Sequence, residues 1–367
     1  MKMNIVTISQ NISKIEFALF DGSCGEPVSK GELKNWMNHE IIGGIPGKIA
    51  THFSKSLRKQ EKTFSANLVC IRVAYGGQEF KSPEIATARS LEKLKKIENA
   101  APMHIPALIE LIGAFKNYFR GTPIALVFET SFFTRLPERE RNYAINPGLA
   151  KEISLQRFGY HGIFHERAYE YCHEKDKRLS RIISVCLEPV PEICAVMGGS
   201  PVMVTGGATP LEGLPGETTC GDIDPLIILS LSENLGWGPE EINNAISRKS
   251  GIYGLTGRKM DFTELFSSAD PDAIFARRLI LYRMLLATGS AIAAMGGLDA
   301  IVFSGRYREI GGQIHGYLSS KLGKFPEKHE ILPDQLLKLT TCSGMLAMLK
   351  KDRTHSQKIS LDNGYSF

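Results

Sequence analysis

The sequence predicts an α/β protein with two domains. Continuous apolar runs that are typical of buried strands occupy residues 67–74 and 123–128, and helical patterns follow them. A strand–turn–strand pattern at residues 4–23 recurs at residues 181–200, and each copy ends in Gly-Ser with an alanine five residues before that serine. With 367 residues, the chain is long enough to bury two hydrophobic cores.

Composition argues against several functional classes. The chain is 43% hydrophobic and 23% charged, with a net charge of +5. Its densest Lys/Arg stretches, at residues 56–62 and 91–98, are typical of solvated helix faces, so we expect no nucleic-acid partner. No apolar run reaches about 18 residues, and we therefore expect no transmembrane helix and no membrane partner. The seven cysteines form no CxxC pair, and no secretory signal is recognisable ahead of them. Both observations predict reduced thiols in a cytoplasmic protein.

The first half of the chain reads as a hairpin followed by alternating strands and helices. Two β-rich runs flank a polar turn, which predicts a hairpin over residues 4–21. Residues 30–62 are polar and predict no clear element, with GGIPGK at 43–48 as a loop. The other predicted elements are strands at 67–74 and 123–128 and helices at 90–99 and 105–119.

The second half continues this alternation. Residues 181–200 predict a second hairpin, and residues 300–304 predict a further strand. Gly296 and Gly297 follow the longest helical pattern, where glycine is a common helix stop. Residues 353–367 are polar and predict a loose tail. The predicted helices of this half span residues 226–235, 239–249, 270–295 and 311–321.

A loop rich in proline and glycine precedes the first of these helices. Residues 209–225, hereafter the proline–glycine loop, read TPLEGLPGETTCGDIDP; three prolines fix φ and three glycines permit positive φ. Asp224 is placed to cap the following helix, with Pro225 at its first position. Such a segment is either a turn-rich connector or an ordered loop that carries function.

Five stretches of the chain, in order, resemble the acetate kinase family. They are IRVAYGG at 71–77, VFET at 127–130, RFGYHGIFH at 157–165, the proline–glycine loop, and LDAIVFSG at 298–305. The resemblance implies two related ribonuclease H-like domains, the actin-like ATPase fold, with a central cleft. It implies a first domain at 1–142 with a C-terminal segment at 346–367. The second domain, at 143–345, would carry the nucleotide side and a dimer interface.

Three residues occupy positions at which the family carries out its chemistry. By resemblance, Arg72 binds the carboxylate of the substrate, which the fork of a guanidinium suits. His161 would donate to the transferred phosphoryl group. Glu129 stands where the family has an aspartate that orients the substrate and metal-bound water. The resemblance therefore implies catalytic roles for His161 and Glu129 and a substrate-binding role for Arg72.

The residue patterns alone leave other interpretations open at these positions. Arg72, at a strand end, is also typical of a surface ion pair. His161 and His165 are one helical turn apart and, with Cys172 and His173 downstream, could ligate zinc. His161 could also be a helix-start histidine whose polar atoms are satisfied by its own loop.

Several family positions carry different residues in this chain. The family's catalytic arginine falls on Thr219, and a neutral hydroxyl supplies no positive charge to the transition state. In the first hairpin, the metal-binding asparagine falls on Ser9 and the nucleotide-contacting lysine falls on Glu16. The family's second phosphate loop, a Gly-Asn-Gly turn, falls on CLEPV at 186–190. There Glu188 brings negative charge, and Pro189 has no N–H to donate.

The nucleotide side keeps part of the family pattern. The family's Asp-Met-Arg nucleotide contact falls on the Asp-Phe-Thr sequence at 261–263. Its adenosine-side loop falls on RYREI at 306–310, which keeps one glutamate of the family pattern. Arg306 and Arg308 bring new positive charge to that loop, where they either bind an anion or lie on a relaxed surface. The metal ligands stay unknown. By resemblance, the cofactor contacts are Asp261, Phe262, Thr263, Arg306 and Glu309.

The resemblance implies a kinase that uses ATP and Mg²⁺ to phosphorylate acetate or a related short carboxylate, which gives ADP and an acyl phosphate. The changed positions predict impaired or altered catalysis, because positive charge and phosphate donors are lost. An alternative is a catalytically inactive family member that binds a small anion and acts as a binding or regulatory protein. A third hypothesis is phosphoryl chemistry with another donor. The family also implies a homodimer.

Overall fold

The chain forms two compact units. The structure, a computed structural model, describes residues 3–11, 14–22, 25–57, 64–101, 104–153, 155–323, 325–326, 330–332, 336–345 and 347–348. One unit comprises Met1–Ser131 with Gln335–Phe367, and the other comprises Phe132–Asp334. The division predicted from the sequence, with boundaries at 142 and 345, stays a prediction, as does the central cleft. The predicted tail at 353–367 lies outside the described residues.

The first unit is built on a mixed sheet. Its described strands are β1 (Ile5–Gln10), β2 (Lys14–Phe20), β3 (Ser29–Lys34), β4 (Leu68–Val73), β5 (Glu84–Ile85) and β6 (Ile124–Phe128), in the order β3-β2-β1-β4-β6-β5. The strands β1, β2 and β3 are antiparallel neighbours, whereas β4 and β6 run parallel to β1. Its helices include α1 (His39–Ile42), α2 (Ile45–Ser56), α3 (Ala88–Lys96) and α4 (Ile105–Tyr118), and residues 336–345 are also helical.

The second unit has a sheet of its own. Its described strands are β7 (Arg181–Cys186), β8 (Glu192–Met197), β9 (Ser200–Val204), β10 (Ala300–Ser304) and β11 (Glu330–Ile331), in the order β11-β10-β7-β8-β9. Its helices are α5 (Glu138–Arg141), α6 (Pro147–Glu152), α7 (Gly162–Lys175), α8 (Pro225–Leu235), α9 (Pro239–Arg248), α10 (Gly251–Thr256), α11 (Phe262–Ser267), α12 (Pro271–Met295) and α13 (Gly311–Lys321).

The two sheets share one strand arrangement. In each, three consecutive antiparallel strands are followed, beside the first of them, by two parallel strands: β4 and β6 in one unit, β10 and β11 in the other. The predicted hairpins are β1–β2 and β7–β8. The repeated alanines, Ala18 and Ala195, are buried in the second strand of each hairpin. The shared topology confirms that the chain contains two related halves.

One predicted loop is wrong. Residues 43–48 were expected to be irregular, but α2 begins at Ile45. Pro46 lies in its first turn, where a missing N–H costs no helical hydrogen bond. Ile45, Ile49 and Phe53 are buried along one face of this helix. Their spacing of four residues is a helical signal that the polar residues between them obscured.

The longest helix, α12, packs one face into the core of the second unit. Seven of its residues are buried, and its core partners include Val185 and Phe303 of the sheet. Gly296 follows the helix in the left-handed conformation, with φ of +68°, which confirms the predicted glycine stop. By length and composition alone, α12 could also cross a membrane, but core helices of soluble proteins pass the same test.

One cysteine departs from the sequence expectation. Cys342 is disulfide-bonded, so the prediction that the thiols are reduced is wrong for this residue. The absence of a CxxC pattern reports only on cysteines that are close in sequence. Cys24 lies outside the described residues. Among the described residues, the cysteines outside a disulfide are Cys70, Cys172, Cys186, Cys194 and Cys220.

Candidate active site

The first unit brings two of the predicted site residues into direct contact. Arg72 lies on β4, and Glu129 directly follows β6, the neighbouring parallel strand, so both lie at the same edge of the sheet. Nε of Arg72 donates to Oε1 of Glu129 in a short ion pair. The side chain of Glu129 is fully buried and that of Arg72 is 12% exposed. Arg72 is therefore held by a buried carboxylate rather than by a surface one.

Partly and fully buried polar groups surround this ion pair. Nη1 of Arg72 lies 3.5 Å from the carbonyl oxygen of Gln10, and Ser9 is the register partner of Arg72 across β1 and β4. Burial, followed by the positive charge of Arg72, lowers the pKa of His104. Burial also raises the pKa of Tyr75. The two pKa shifts favour neutral His104 and neutral Tyr75, so Arg72 and Glu129 are the charged groups of this region.

In the second unit, His161 is the N-cap residue of α7. Its Nε2 lies 3.1 Å from the carbonyl oxygen of Val190. Since a carbonyl can only accept, Nε2 carries the hydrogen, and Nδ1 is the nitrogen available to a ligand. The described residues contain no group of three or more His, Cys, Asp or Glu side chains that could hold a metal ion. The zinc interpretation of His161, His165, Cys172 and His173 is therefore not supported.

Sequence reasoning missed Glu192, a buried carboxylate at the start of β8. Its oxygens accept hydrogen bonds of 3.0–3.1 Å from the backbone N–H groups of Tyr160 and His161, and one lies 3.0 Å from Nε2 of His165. Burial alone would raise the pKa of Glu192, but the His165 hydrogen bond, the two histidines and the Tyr160 N–H lower it overall. The sequence signal that could have identified Glu192 is a single acidic residue at the first position of an otherwise apolar strand, EICAVM.

The proline–glycine loop is ordered by its own polar groups. Asp222 accepts from the N–H of Gly213 at 2.8 Å and donates its own N–H to the Gly213 carbonyl at 2.9 Å. Asp224 caps α8, as predicted, by accepting from the N–H of Leu226 at 2.9 Å. Oγ1 of Thr219 is buried without a hydrogen-bond partner in the described part of the chain. The loop thus has a fixed shape but supplies a neutral group at this position.

Two of the changed positions contact each other. The carboxylate of Glu188 accepts from the backbone N–H and from Nε of Arg306, both at 2.9 Å. The side chain of Glu188 is 14% exposed, so the pair is largely shielded on the acidic side. Beside it, the hydroxyl of Tyr307 donates a short hydrogen bond to Glu217, whose pKa is raised by burial.

A cavity of about 530 Å³ lies beside the first of the predicted cofactor contacts. Asp261 lines it and caps α11 by accepting from the N–H of Glu264 at 2.9 Å. Thr263 is exposed on α11, whereas the side chain of Phe262 is fully buried in the core and presents no surface to a ligand. The basic residues of the cavity wall are Arg248, Lys249 and Lys259.

The other predicted cofactor contacts are not among the cavity's lining residues. Arg306 is paired with Glu188. Glu309 is mostly exposed and lies 3.4 Å from Nε of Arg308. Nη1 of Arg308 donates to the Gly305 carbonyl at 3.3 Å. The loop that carries Arg306 and Glu309 nevertheless adjoins the cavity, because its Tyr307 donates to Glu217, which lines the cavity with Asp261. The ring of Tyr307 also lies 5.6 Å from that of Phe262.

The chain was compared with known proteins. The sequence profile of the acetokinase family matches residues 39–327. The chain belongs to this family. An acetate kinase of Coprothermobacter proteolyticus is 35% identical over 286 residues, which cover 76% of this chain and 69% of that protein. An acetate kinase of Vibrio campbellii is 35% identical over 348 residues, which cover 89% and 87% of the two chains.

Solved structures of acetokinases share the fold. The acetate kinase of Porphyromonas gingivalis superposes with a TM-score of 0.84 at 22% identity, covering 94% of this chain and 100% of that one. A propionate kinase of Francisella tularensis subsp. tularensis SCHU S4 gives a TM-score of 0.81 at 25% identity, covering 92% and 98%. The predicted α/β fold of two related, actin-like domains is confirmed. The acetokinase family comprises phosphotransferases that act on small carboxylates and use ATP with a divalent metal.

Against the acetokinase pattern, the charge reversal at Glu16 is compensated locally. Glu16 is the register partner of Ser9 across β1 and β2. Nζ of Lys14 lies 2.8 Å from Glu16 and 3.1 Å from Glu32. The hydrogen bond to Glu16 is the largest cause of the raised pKa of Lys14. This lysine is shared between two carboxylates and does not stand as a free cation for polyphosphate.

Proposed function

We propose that this chain is a carboxylate kinase that transfers a phosphoryl group from ATP to acetate or a related short carboxylate, with impaired or altered catalysis. The observation that carries the proposal is the contact between Glu188 and Arg306, at positions that resemble the phosphate loop and the adenosine-side loop of the family. It puts a carboxylate where the family has phosphate donors. The carboxylate side of the reaction, in contrast, keeps Arg72 beside Glu129.

Each retained residue has a role consistent with its contacts. Nε of Arg72 is taken by Glu129 and one hydrogen of Nη1 points to the Gln10 carbonyl, which leaves Nη2 and the second hydrogen of Nη1 for a substrate carboxylate. Glu129 fixes the orientation of that guanidinium. His161 would keep Nε2 on the Val190 carbonyl and present Nδ1 to the transferred phosphoryl group.

The residues present fit only part of an ATP–Mg²⁺ complex. The cavity beside Asp261 falls within the size range of small-molecule sites, which supports binding of a nucleoside. The turn expected to cradle phosphates offers Pro189, which has no N–H, and Glu188, which is paired with Arg306. Mg²⁺ in kinase sites usually takes most of its ligands from waters and phosphates, so it needs no cluster of protein side chains. The altered phosphate turn is therefore the deficit that supports impaired catalysis.

We further propose that the protein is a cytoplasmic homodimer formed through the second unit. The helix α8 is apolar yet has no buried residue, and α12 adds further exposed apolar side chains. Exposed apolar side chains in this number favour a protein–protein interface. Sedimentation of the wild-type chain and of Leu229→Glu tests this proposal, and a monomeric wild type would contradict it. The exposed residues are Leu226, Ile227, Leu229, Leu235, Phe275, Tyr282 and Leu286.

A second candidate is a catalytically inactive family member that acts as a binding or regulatory protein. It is favoured by Thr219, whose neutral hydroxyl replaces the charge that phosphoryl transfer needs. Calorimetric titration of Mg-ATP separates the two candidates, because only the kinase needs nucleotide. For the kinase we expect a Kd no weaker than about 1 mM, and weaker binding for Asp261→Ala, with Glu240→Gln as the control. An absence of binding at millimolar nucleotide would contradict the kinase and leave the second candidate.

A further inference from the structure

The carboxylate of Glu192 lies in a cradle of hydrogen-bond donors at the start of α7. One oxygen accepts from the N–H of Tyr160 at 3.1 Å and from that of His161 at 3.1 Å, and lies 3.0 Å from Nε2 of His165. The second oxygen accepts from the N–H of Tyr160 at 3.0 Å. The side chain of Glu192 is 5% exposed and that of His165 is fully buried. Glu192 therefore makes these contacts away from solvent.

This arrangement is that of an anion-binding site. Backbone N–H groups at the N-terminus of a helix, together with the helix dipole, favour a negatively charged group. The helix α7 is 14 residues long, and His165 adds a side-chain donor from its first turns. In many proteins such a cradle receives an anionic ligand, but here β8 supplies the anion from within the chain.

The surroundings are shaped to keep the carboxylate in place. A Cβ atom on Gly206 would lie 2.2 Å from Oε2 of Glu192, so only glycine leaves room for it there. On the other side of the ring of His165, Nδ1 lies 2.7 Å from Oγ of Ser184, which is fully buried. Ser184, His165 and Glu192 thus form one hydrogen-bonded chain that ends on the backbone of His161.

We propose that Glu192 is a positioning residue for His161. Its carboxylate fills the donor cradle, fixes the backbone at the start of α7, and thereby holds the ring of His161 with Nε2 on the Val190 carbonyl. Nδ1 is then the only ring nitrogen that a phosphoryl group can reach. The role given to His161 rests on the proposed function, whereas the positioning itself does not.

The first test removes the anion and returns it in solution. Glu192→Ala leaves the cradle unfilled, and formate is a carboxylate small enough to enter it. In nitrogen-15 NMR spectra, we expect the His161 ring of the wild-type protein to show hydrogen on Nε2. In Glu192→Ala we expect this pattern to be lost and to return on addition of sodium formate, but not of sodium chloride at the same concentration. An unchanged His161 pattern in Glu192→Ala would overturn the proposal.

The second test displaces the carboxylate without removing its charge. Gly206→Ala pushes on Oε2 of Glu192 and should alter the His161 signals, and formate should not restore them because the cradle still contains a carboxylate. Gly316→Ala is the matched control, since a Cβ there meets nothing within 4 Å. An equal change in both variants, or none in Gly206→Ala, would count against the proposal.

A thermal measurement covers the case in which Glu192→Ala folds poorly. We expect formate to raise the Tm of Glu192→Ala, relative to chloride, by about 2–4 °C more than that of the wild type or of Glu264→Ala. The isosteric variant Glu192→Gln, whose amide oxygen can still accept from the backbone, should show a smaller loss and no formate response. An equal formate-induced rise in Tm for the wild type and Glu192→Ala would contradict the proposal that formate enters the vacated donor cradle. None of these readouts needs turnover, so failure of the kinase proposal leaves them interpretable.

Discussion

Glu188 and Arg306 form a two-point contact in which one carboxylate accepts both the backbone N–H and the Nε of the arginine, each at 2.9 Å. The two residues are 118 positions apart in the chain. By resemblance, both stand where the acetokinase pattern has glycine-rich loops. On that prediction the contact would replace two phosphate-facing turns with an internal ion pair in which each charge neutralises the other.

Breaking this pair should improve nucleotide binding. Glu188→Gly removes the carboxylate and releases the guanidinium of Arg306 toward a phosphate. We expect the Kd for Mg-ATP to fall about fivefold or more, since a favourable exposed charge contact contributes on the order of 1 kcal/mol. Calorimetric titration measures this change, with Glu240→Gln as an exposed control. The opposite result, weaker binding by Glu188→Gly, would show that the carboxylate itself contacts the ligand.

Removing Arg72 should destabilise the first unit strongly. Glu129 is fully buried, and Arg72→Met would leave its carboxylate without the cation that compensates it. We expect a loss of about 3–5 kcal/mol in the free energy of unfolding. The double variant Arg72→Met/Glu129→Gln should recover much of that loss. Urea unfolding of the three proteins provides the comparison, and additive losses in the double variant would contradict the pairing.

Gly159, in the sequence that carries His161, should not tolerate a side chain. A Cβ atom there would lie 2.2 Å from the ring of Phe133, which is fully buried. We expect Gly159→Ala to destabilise the protein by about 1–3 kcal/mol through overpacking. Gly289→Ala is the control, because a Cβ on that helical glycine meets nothing within 4 Å and should stabilise by about 0.4–1 kcal/mol. Similar effects of the two substitutions would contradict this packing.

Glu217 should make stability depend on pH. Burial raises its pKa in the folded state, so the folded protein holds the proton more tightly than the unfolded chain does. Stability from this group is therefore present at low pH and falls as the pH rises above about 4.3. Glu217→Gln keeps an oxygen that can accept from Tyr307 and removes the buried charge. We expect its Tm to exceed that of wild type at neutral pH and to equal it near pH 4; a difference that is constant across pH would contradict this.

The sequence predicted the fold well because the signals involved are local. The strands β4, β6 and β10 are apolar runs, and Asp224 with Pro225 marks the start of α8 by side-chain chemistry alone. The start of α2 was missed because its buried residues are separated by polar ones. Strands and helices can be predicted from one sequence where their signal lies in residues that are close along the chain.

The candidate site was predicted only in part because its contacts are distant in sequence. Arg72 and Glu129 were identified by resemblance, but their mutual ion pair, 57 positions apart, leaves no local pattern. Arg306 was expected either to bind an anion or to lie on a relaxed surface, and its contact with Glu188 matches neither. Glu192 was missed because its partners come from a loop 31–32 positions earlier and from α7.

Formation of acyl phosphate from ATP and acetate, trapped as the hydroxamate, tests the central claim most directly. The purified chain would be assayed with Mg²⁺ beside an acetate kinase that retains the arginine at the position of Thr219. We expect measurable product at a rate roughly 10³–10⁵ lower than that enzyme, since the loss of comparable arginines has this effect, and no product from His161→Ala. A rate within about tenfold of the intact enzyme would contradict impaired catalysis, and no product above the His161→Ala background would contradict the kinase.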